Sequence, residues 1–201
     1  MSFTGTIPAS IYGMSALTSL DLSINSFTGT ISSAIGTATK LKVLNLQQNL
    51  LRGTIPSSIG SLGLLTGLDL NSNSLSGTIP STIVSLTKLT YLFLHTNSLT
   101  GTTPDNIGNI GTQFVYLGLS FNQLTGTIPS TFNQLKLDNF NFYTNYLTMG
   151  SLSTVPSSTF SDQTLARMTG YELSENCLAF TKGARIITAT NCKPTAGKLI
   201  I

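Results

Sequence analysis

Leu65-Thr66-Gly67-Leu68-Asp69-Leu70-Asn71-Ser72-Asn73-Ser74-Leu75-Ser76-Gly77-Thr78-Ile79-Pro80 is the stretch that decides the fold. Around Leu68 and Leu70 apolar residues alternate with polar ones, as a strand with one buried face requires. Asn73 ends that element, and a second short run, Leu75 to Pro80, follows it. A segment this short cannot bury its own leucines, so it must stack on copies of itself. Those copies are present on both sides. Asn25, Asn49, Asn73, Asn97, Asn122 and Asn145 recur at intervals of 24, 24, 24, 25 and 23 residues. Each closes the frame L-x-x-L-x-L-x-x-N-x-L, from Leu17-Leu20-Leu22-Asn25 to Leu137-Phe140-Phe142-Asn145.

The period predicts a parallel sheet with one strand per copy and a continuous leucine core between coils. Each Asn carries two donors and an acceptor, so stacked copies are expected to form a polar ladder that satisfies backbone groups where the chain leaves the strand. The composition agrees with a solenoid. Of 201 residues 40% are hydrophobic and 8% charged, far below the ~25% charged of an average globular protein. Ser, Thr and Asn must therefore make the polar surface. The net charge of +3 comes from ten scattered Lys and Arg, with no basic run, which argues against a nucleic-acid partner. No stretch of ~20 apolar residues exists to insert in a membrane.

A second signature follows each Asn: Phe27-Thr28-Gly29-Thr30-Ile31, Leu51-Arg52-Gly53-Thr54-Ile55-Pro56, Leu75 to Pro80, Leu99-Thr100-Gly101-Thr102-Thr103-Pro104 and Leu124-Thr125-Gly126-Thr127-Ile128-Pro129. With this element the chain resembles the plant-type extracellular leucine-rich-repeat proteins, the class of receptor-kinase ectodomains and polygalacturonase-inhibiting proteins, over roughly residues 2–148. The resemblance implies an α/β solenoid: a right-handed superhelix with a parallel inner sheet, a short second sheet and mostly 3-10 or irregular outer turns. The cysteine-paired N-terminal cap of that class is not seen here, and neither is any N-x-[ST] sequon.

The expected organisation is an array over 1–167, made of a half repeat and six repeats, with an insertion at about 149–165. A degenerate last repeat (Met168, Tyr171, Leu173, Asn176, Leu178) and a C-terminal cap fill 168–194, and 195–201 is a tail. Ser2-Phe3-Thr4-Gly5-Thr6-Ile7 matches Ser26 to Ile31, so the chain starts halfway through a repeat and is expected to be a piece of a longer precursor. Cys177 and Cys192 enclose a short loop and point to a disulfide of an oxidising compartment, worth ~3 kcal/mol, with two buried thiols as the alternative. The run Ala184 to Cys192 is expected to add a strand. Localisation is expected to be extracellular or at the cell surface, as a monomer.

Catalytic chemistry needs a nucleophile with a base, a carboxylate pair or clustered metal ligands. His95 is the only histidine and acidic residues number seven, so no catalytic residue, metal or cofactor is expected. Asp21 and Asp69 share a column of the inner sheet, two coils and ~10 Å apart, and both are expected to be solvated. Recognition fits better. The outward positions of the inner sheet are small and polar in the first three repeats, then turn aromatic: Tyr91, Phe93, His95, Tyr116, Phe121 and Tyr143. Such a concave patch is expected to bind a protein, peptide or carbohydrate. A second face competes. Thr6, Thr28, Thr30, Thr54, Thr78, Thr100, Thr102, Thr125 and Thr127 form a T-x-T ladder on the second sheet, resembling the ice-binding faces of β-solenoid antifreeze proteins. Arg52 interrupts it.

Overall fold

The computed structural model describes residues 2–135, 139–141 and 145–148, together with three short strands beyond them. Six strands form one parallel sheet in sequence order: β2 (Ser19–Asp21), β4 (Val43–Asn45), β6 (Gly67–Asp69), β8 (Tyr91–Phe93), β10 (Tyr116–Gly118) and β12 (Asn139–Asn141). Equivalent residues of successive repeats lie side by side: Leu20 beside Leu44, Leu44 beside Leu68, Leu68 beside Leu92. These leucines and those two residues on, Leu46, Leu70 and Leu94, are buried in one core. The fold is the α/β solenoid expected, though its outer connections are 3-10 turns rather than α-helices among the described residues.

The L-x-G-T-I-P element supplies the second sheet. Its strands are β1 (Thr4–Thr6) and β3 (Ser26–Thr28), then β5 (Arg52–Thr54), β7 (Ser74–Gly77), β9 (Ser98–Gly101), β11 (Gln123–Thr127) and β13 (Tyr146–Thr148). Between β3 and β5 the Leu50 and Arg52 amides donate to the Phe27 and Gly29 carbonyls, so backbone bonding continues across the gap. The proline then sets the next turn. Pro56 (φ −68°) and Pro80 (φ −64°) precede the 3-10 turns Ser57–Ser61 and Ser81–Ser85, where a fixed φ and a missing N–H are tolerated. Ser32 replaces the proline in one copy, and its hydroxyl accepts from the Ala34 amide.

The asparagine ladder is found as expected. Asn73 Oδ1 accepts the Leu51 amide, and its Nδ2 donates to the carbonyls of Leu46, Leu70 and Asn71. Asn49, Asn97 and Asn122 repeat the pattern against their own preceding coils. The residue before each ladder Asn is left-handed, with φ +55° at Ile24, +51° at Gln48, +54° at Ser72, +58° at Thr96 and +53° at Phe121.

Two core positions depart from the pattern. Tyr12 stands in the column of Gly36 and Gly60, one residue past the isoleucine column of Ile11, Ile35 and Ile59; it is 1% exposed, its hydroxyl has no partner, and burial pushes its pKa up to about 12. Thr103 replaces the isoleucine of its signature and likewise buries an unpaired hydroxyl. Beyond residue 148, β16 (Ile186–Thr188) falls in the run expected to add a strand. It pairs antiparallel with β14 (Val155–Pro156) and β15 (Ala179–Phe180). Cys177, Cys192 and the degenerate repeat from Met168 to Leu178 lie outside the described residues.

Candidate functional site: the open face of the six-stranded sheet

Alternation puts three rows of side chains on the open face. The first is Ser19, Val43, Gly67, Tyr91, Tyr116; the second is Asp21, Asn45, Asp69, Phe93, Gly118. The third, two residues on, is Ser23, Gln47, Asn71, His95, Ser120. Tyr91 and Phe93 stack with centroids 5.3 Å apart and planes at 27°, and His95 tilts against Phe93 at 6.2 Å. Glycines on either side make room for them. A Cβ on Gly67 would collide with the Tyr91 ring at its hydroxyl end, so that ring lies back across the preceding strand. On the other side a Cβ on Gly118 would stand 3.0 Å from His95 Cδ2 and 3.1 Å from Phe93 Cδ1.

Of the expected aromatic residues the structure therefore joins Tyr91, Phe93 and His95, and sets Tyr116 beside Tyr91 in the first row. Phe121 is different. It occupies the left-handed column of Ile24 and Thr96, past the end of the strand and outside the three rows. Counting by two from Tyr116 reaches Gly118 and Ser120 and passes Phe121 by, so the expectation that sets it with the others fails on parity. Tyr143 lies outside the described residues.

The polar half of the face is a hydrogen-bonded mosaic. Asp21 accepts from the Ser23 amide and from Asn45 Nδ2. Asn71 Nδ2 donates to Asp69 Oδ1 at 2.6 Å and to Gln47 Oε1 at 3.2 Å. Both aspartates are expected from sequence to be solvated, and for Asp69 the structure overturns this. Asp21 is exposed, and hydrogen bonds from Ser23 lower its pKa. Asp69 is 9% exposed, and burial raises its pKa against the opposing hydrogen bonds from Asn71 and the charge of His95. The cause is the aromatic residues of the next coil. The sequence signal was present: a glycine in the column where the neighbour is tyrosine invites the ring to fold back. Burial lowers the pKa of His95, with Asp69 opposing, and raises that of Tyr91.

A stability prediction follows from Asp69. Its folded pKa is raised, so the protonated form is favoured by folding, and stability falls as pH rises through that pKa. Asp69→Asn keeps an acceptor for the Asn71 amide. It is expected to raise the urea midpoint at pH 7, with the gain vanishing below about pH 4. A variant less stable than the parent at both pH values would contradict this account.

The second sheet also differs from its expected form. Thr6, Thr30, Thr54, Thr78, Thr102 and Thr127 are all exposed, in agreement with the alternation. The ladder is not square, however. Thr6 lies beside Thr28, and Thr54 beside Ser76, so the pairing is slipped by two residues per coil relative to the repeat. Strict alternation between the Leu or Phe and the Ile of this element would turn each glycine toward the core, and the backbone departs from it. The glycines have φ between +71° and +91° in this element, and their open side faces the threonine of the coil before. A Cβ on Gly53, Gly77 or Gly101 would lie 2.8 Å from the methyl of Thr30, Thr54 or Thr78. Meanwhile the Thr28 and Thr125 hydroxyls donate to the Gly5 and Gly101 carbonyls.

Stacked single-turn repeats with parallel strands, an asparagine ladder and an open sheet face define a leucine-rich-repeat solenoid. The leucine-rich-repeat profiles match residues 15–75, 39–99 and 113–135. The chain is similar to the ectodomain of the Arabidopsis thaliana receptor kinase GASSHO1/SCHENGEN3, solved with CASPARIAN STRIP INTEGRITY FACTOR 2. Identity is 32% over 73% of this chain and 18% of that one, with a TM-score of 0.69. It is also similar to a plant ice-binding protein, at 36% identity over 72% of this chain and 46% of that one, TM-score 0.68. The ectodomain of the Arabidopsis thaliana receptor kinase SOBIR1 matches at 36% identity over 64% of this chain and 70% of its own, TM-score 0.58. The chain spans less than half the length of the first two. No curated protein matches it. The chain belongs to the leucine-rich-repeat family, in the plant type found in receptor-kinase ectodomains.

Proposed function

We propose that this chain is a non-catalytic recognition module of a secreted or cell-surface protein, binding its ligand on the open face of the six-stranded sheet. Tyr91, Phe93 and His95 form the centre of the site, with Tyr116 beside them and Phe121 at its margin. The observation that carries this reading is the seating of the aromatic side chains on Gly67 and Gly118. Rings held in place before binding lose little freedom when a ligand covers them. Related receptor ectodomains solved with peptide hormones support a ligand-binding role.

The test is a binding array of peptides and oligosaccharides, probed with the parent and with the Tyr91→Ala, Phe93→Ala double variant. Truncating aromatic anchors is expected to cost 2 kcal/mol or more of affinity, roughly 30-fold, while circular dichroism stays unchanged. If every ligand of the parent binds the double variant equally well, the site lies elsewhere.

A second reading places function on the threonine ladder, as an ice-binding face. Two observations favour it: the methyls of the exposed threonines Thr30, Thr54 and Thr78 fill the space that a Cβ on the next coil's glycine would need, and a plant ice-binding protein has a similar structure. Replacing Thr78 and Thr102 with Tyr is expected to abolish thermal hysteresis and crystal shaping, and Arg52→Thr to increase them. A parent that leaves growing ice as discs sinks this reading.

A further inference from the structure

The polar mosaic and the flat ring beside it define a ligand class. Resting on the reading of the open face as a binding site, we propose that its ligand is a neutral β-linked glucose oligosaccharide. It would lie across β2, β4, β6 and β8, with its sugar hydroxyls on Asp21, Asn45 and Gln47 and one sugar ring on Tyr91.

The polar side chains are held, yet only in part used. Asp21 and Asn45 bond to each other, and Asn71 bonds to both Gln47 and Asp69. Each carboxylate or amide oxygen has two lone pairs and each amide nitrogen two hydrogens. Gln47 uses its Oε1 toward Asn71 and leaves both Nε2 hydrogens open. The Asn45 side chain is fixed at both ends, since its Oδ1 also accepts the Gln47 amide. Fixed donors and acceptors in alternation, with spare capacity, match the adjacent hydroxyls of a sugar, each of which is donor and acceptor at once. A site built to bond hydroxyls discriminates strongly, because its polar groups are left unpaired by a ligand without them.

Tyr91 supplies the other half of the recognition. Its ring reaches back over Gly67 at the hydroxyl end and stacks on Phe93, and the residue remains partly exposed on the open side. A β-glucose ring has all its hydroxyls equatorial and its C–H bonds axial, so it is flat and apolar on its faces and polar around its rim. That shape lets it stack on an aromatic face while the rim reaches the amides. The row from β2 to β8 covers three strand spacings, ~14 Å, enough for several linked sugars in line. Charge selects a neutral chain over an acidic one. The mosaic presents the exposed carboxylate of Asp21, which would repel a uronate polymer.

Isothermal titration of the full chain with cellohexaose, laminarihexaose, a galacturonate hexamer and an Arg-rich peptide tests this directly. A neutral glucan hexamer is expected to bind with Kd at or below roughly 1 mM, and the galacturonate not to bind. Tyr91→Ala and Gln47→Leu should each weaken the glucan at least ~10-fold, and Ser61→Ala, on an outer turn away from this face, should leave it unchanged. If neither glucan binds, or Gln47→Leu binds as the parent does, the sugar assignment is overturned. A peptide that binds and is lost with Tyr91→Ala would overturn the sugar while leaving the open face as the site. Glucan binding untouched by both variants would overturn the two together.

Discussion

Asn122→Ala is expected to destabilise the protein by roughly 3 to 5 kcal/mol, more than a typical core truncation of one methylene. The buried side chain accepts the Leu99 amide and donates to the Leu94, Leu119 and Ser120 carbonyls, so its removal orphans backbone groups in two coils. Each buried backbone group left without a partner costs ~1–3 kcal/mol, and alanine offers no substitute. Asn25 is the internal control. It accepts the Phe3 amide at an exposed site and donates to the partly buried Leu22 and Ser23 carbonyls, where water replaces the lost bonds, so Asn25→Ala should cost about 1 to 2 kcal/mol. Urea denaturation of both variants decides it. Equal small shifts would mean that water reaches the ladder throughout, and the account of its rigidity would be wrong.

The second large effect is steric. Gly60 ends the 3-10 turn Ser57–Ser61 against the turn above it, and a Cβ there would stand 2.5 Å from the Thr82 carbonyl oxygen and 2.6 Å from Thr82 Cβ. A backbone carbonyl cannot rotate away as a side chain does, so the two turns would have to separate. Gly60→Ala is expected to cost ~3 kcal/mol, the upper range for overpacking. Gly63 is three residues away with nothing within 4 Å of its Cβ position and no positive φ. Gly63→Ala should therefore be neutral or stabilise by up to ~1 kcal/mol, by restricting the unfolded chain. A thermal melt of the pair checks both signs, and a Gly60→Ala variant as stable as Gly63→Ala would contradict the packing described.

The features that sequence made legible are those set by period. The leucine frame, the asparagine ladder and the outward threonines depend on which side of the chain a residue faces. Repetition at 24 residues states that many times over. Register against the neighbouring coil is another matter. The two-residue slip that sets Thr54 beside Ser76 comes from where the backbone leaves one sheet for the other, and alternation is blind to it. The aromatic patch of the open face was legible, since Tyr91 and Phe93 sit two apart. The burial of Asp69 needs the register as well as the pattern, because only the pairing of β6 with β8 gives the Tyr91 ring Gly67 to lean on. Phe121 was misplaced on parity, since alternation from Tyr116 passes it by, and its left-handed backbone lies one residue before Asn122.

The ladder also gives the molecule a direction. Asn49, Asn73, Asn97 and Asn122 each reach back, accepting an amide and feeding a carbonyl of the coil before. No coil completes its own bonding; its successor does so. Removing a coil from the start of the array leaves the remaining ladder whole, whereas removing one from the far end strands the coil beneath it. A nascent chain emerging from the ribosome therefore holds one unfinished coil at its growing edge at every moment, and each new repeat seals the last. In such a chain, shortening from the front and shortening from the back are unequal operations, and insertions of whole repeats heal at either junction.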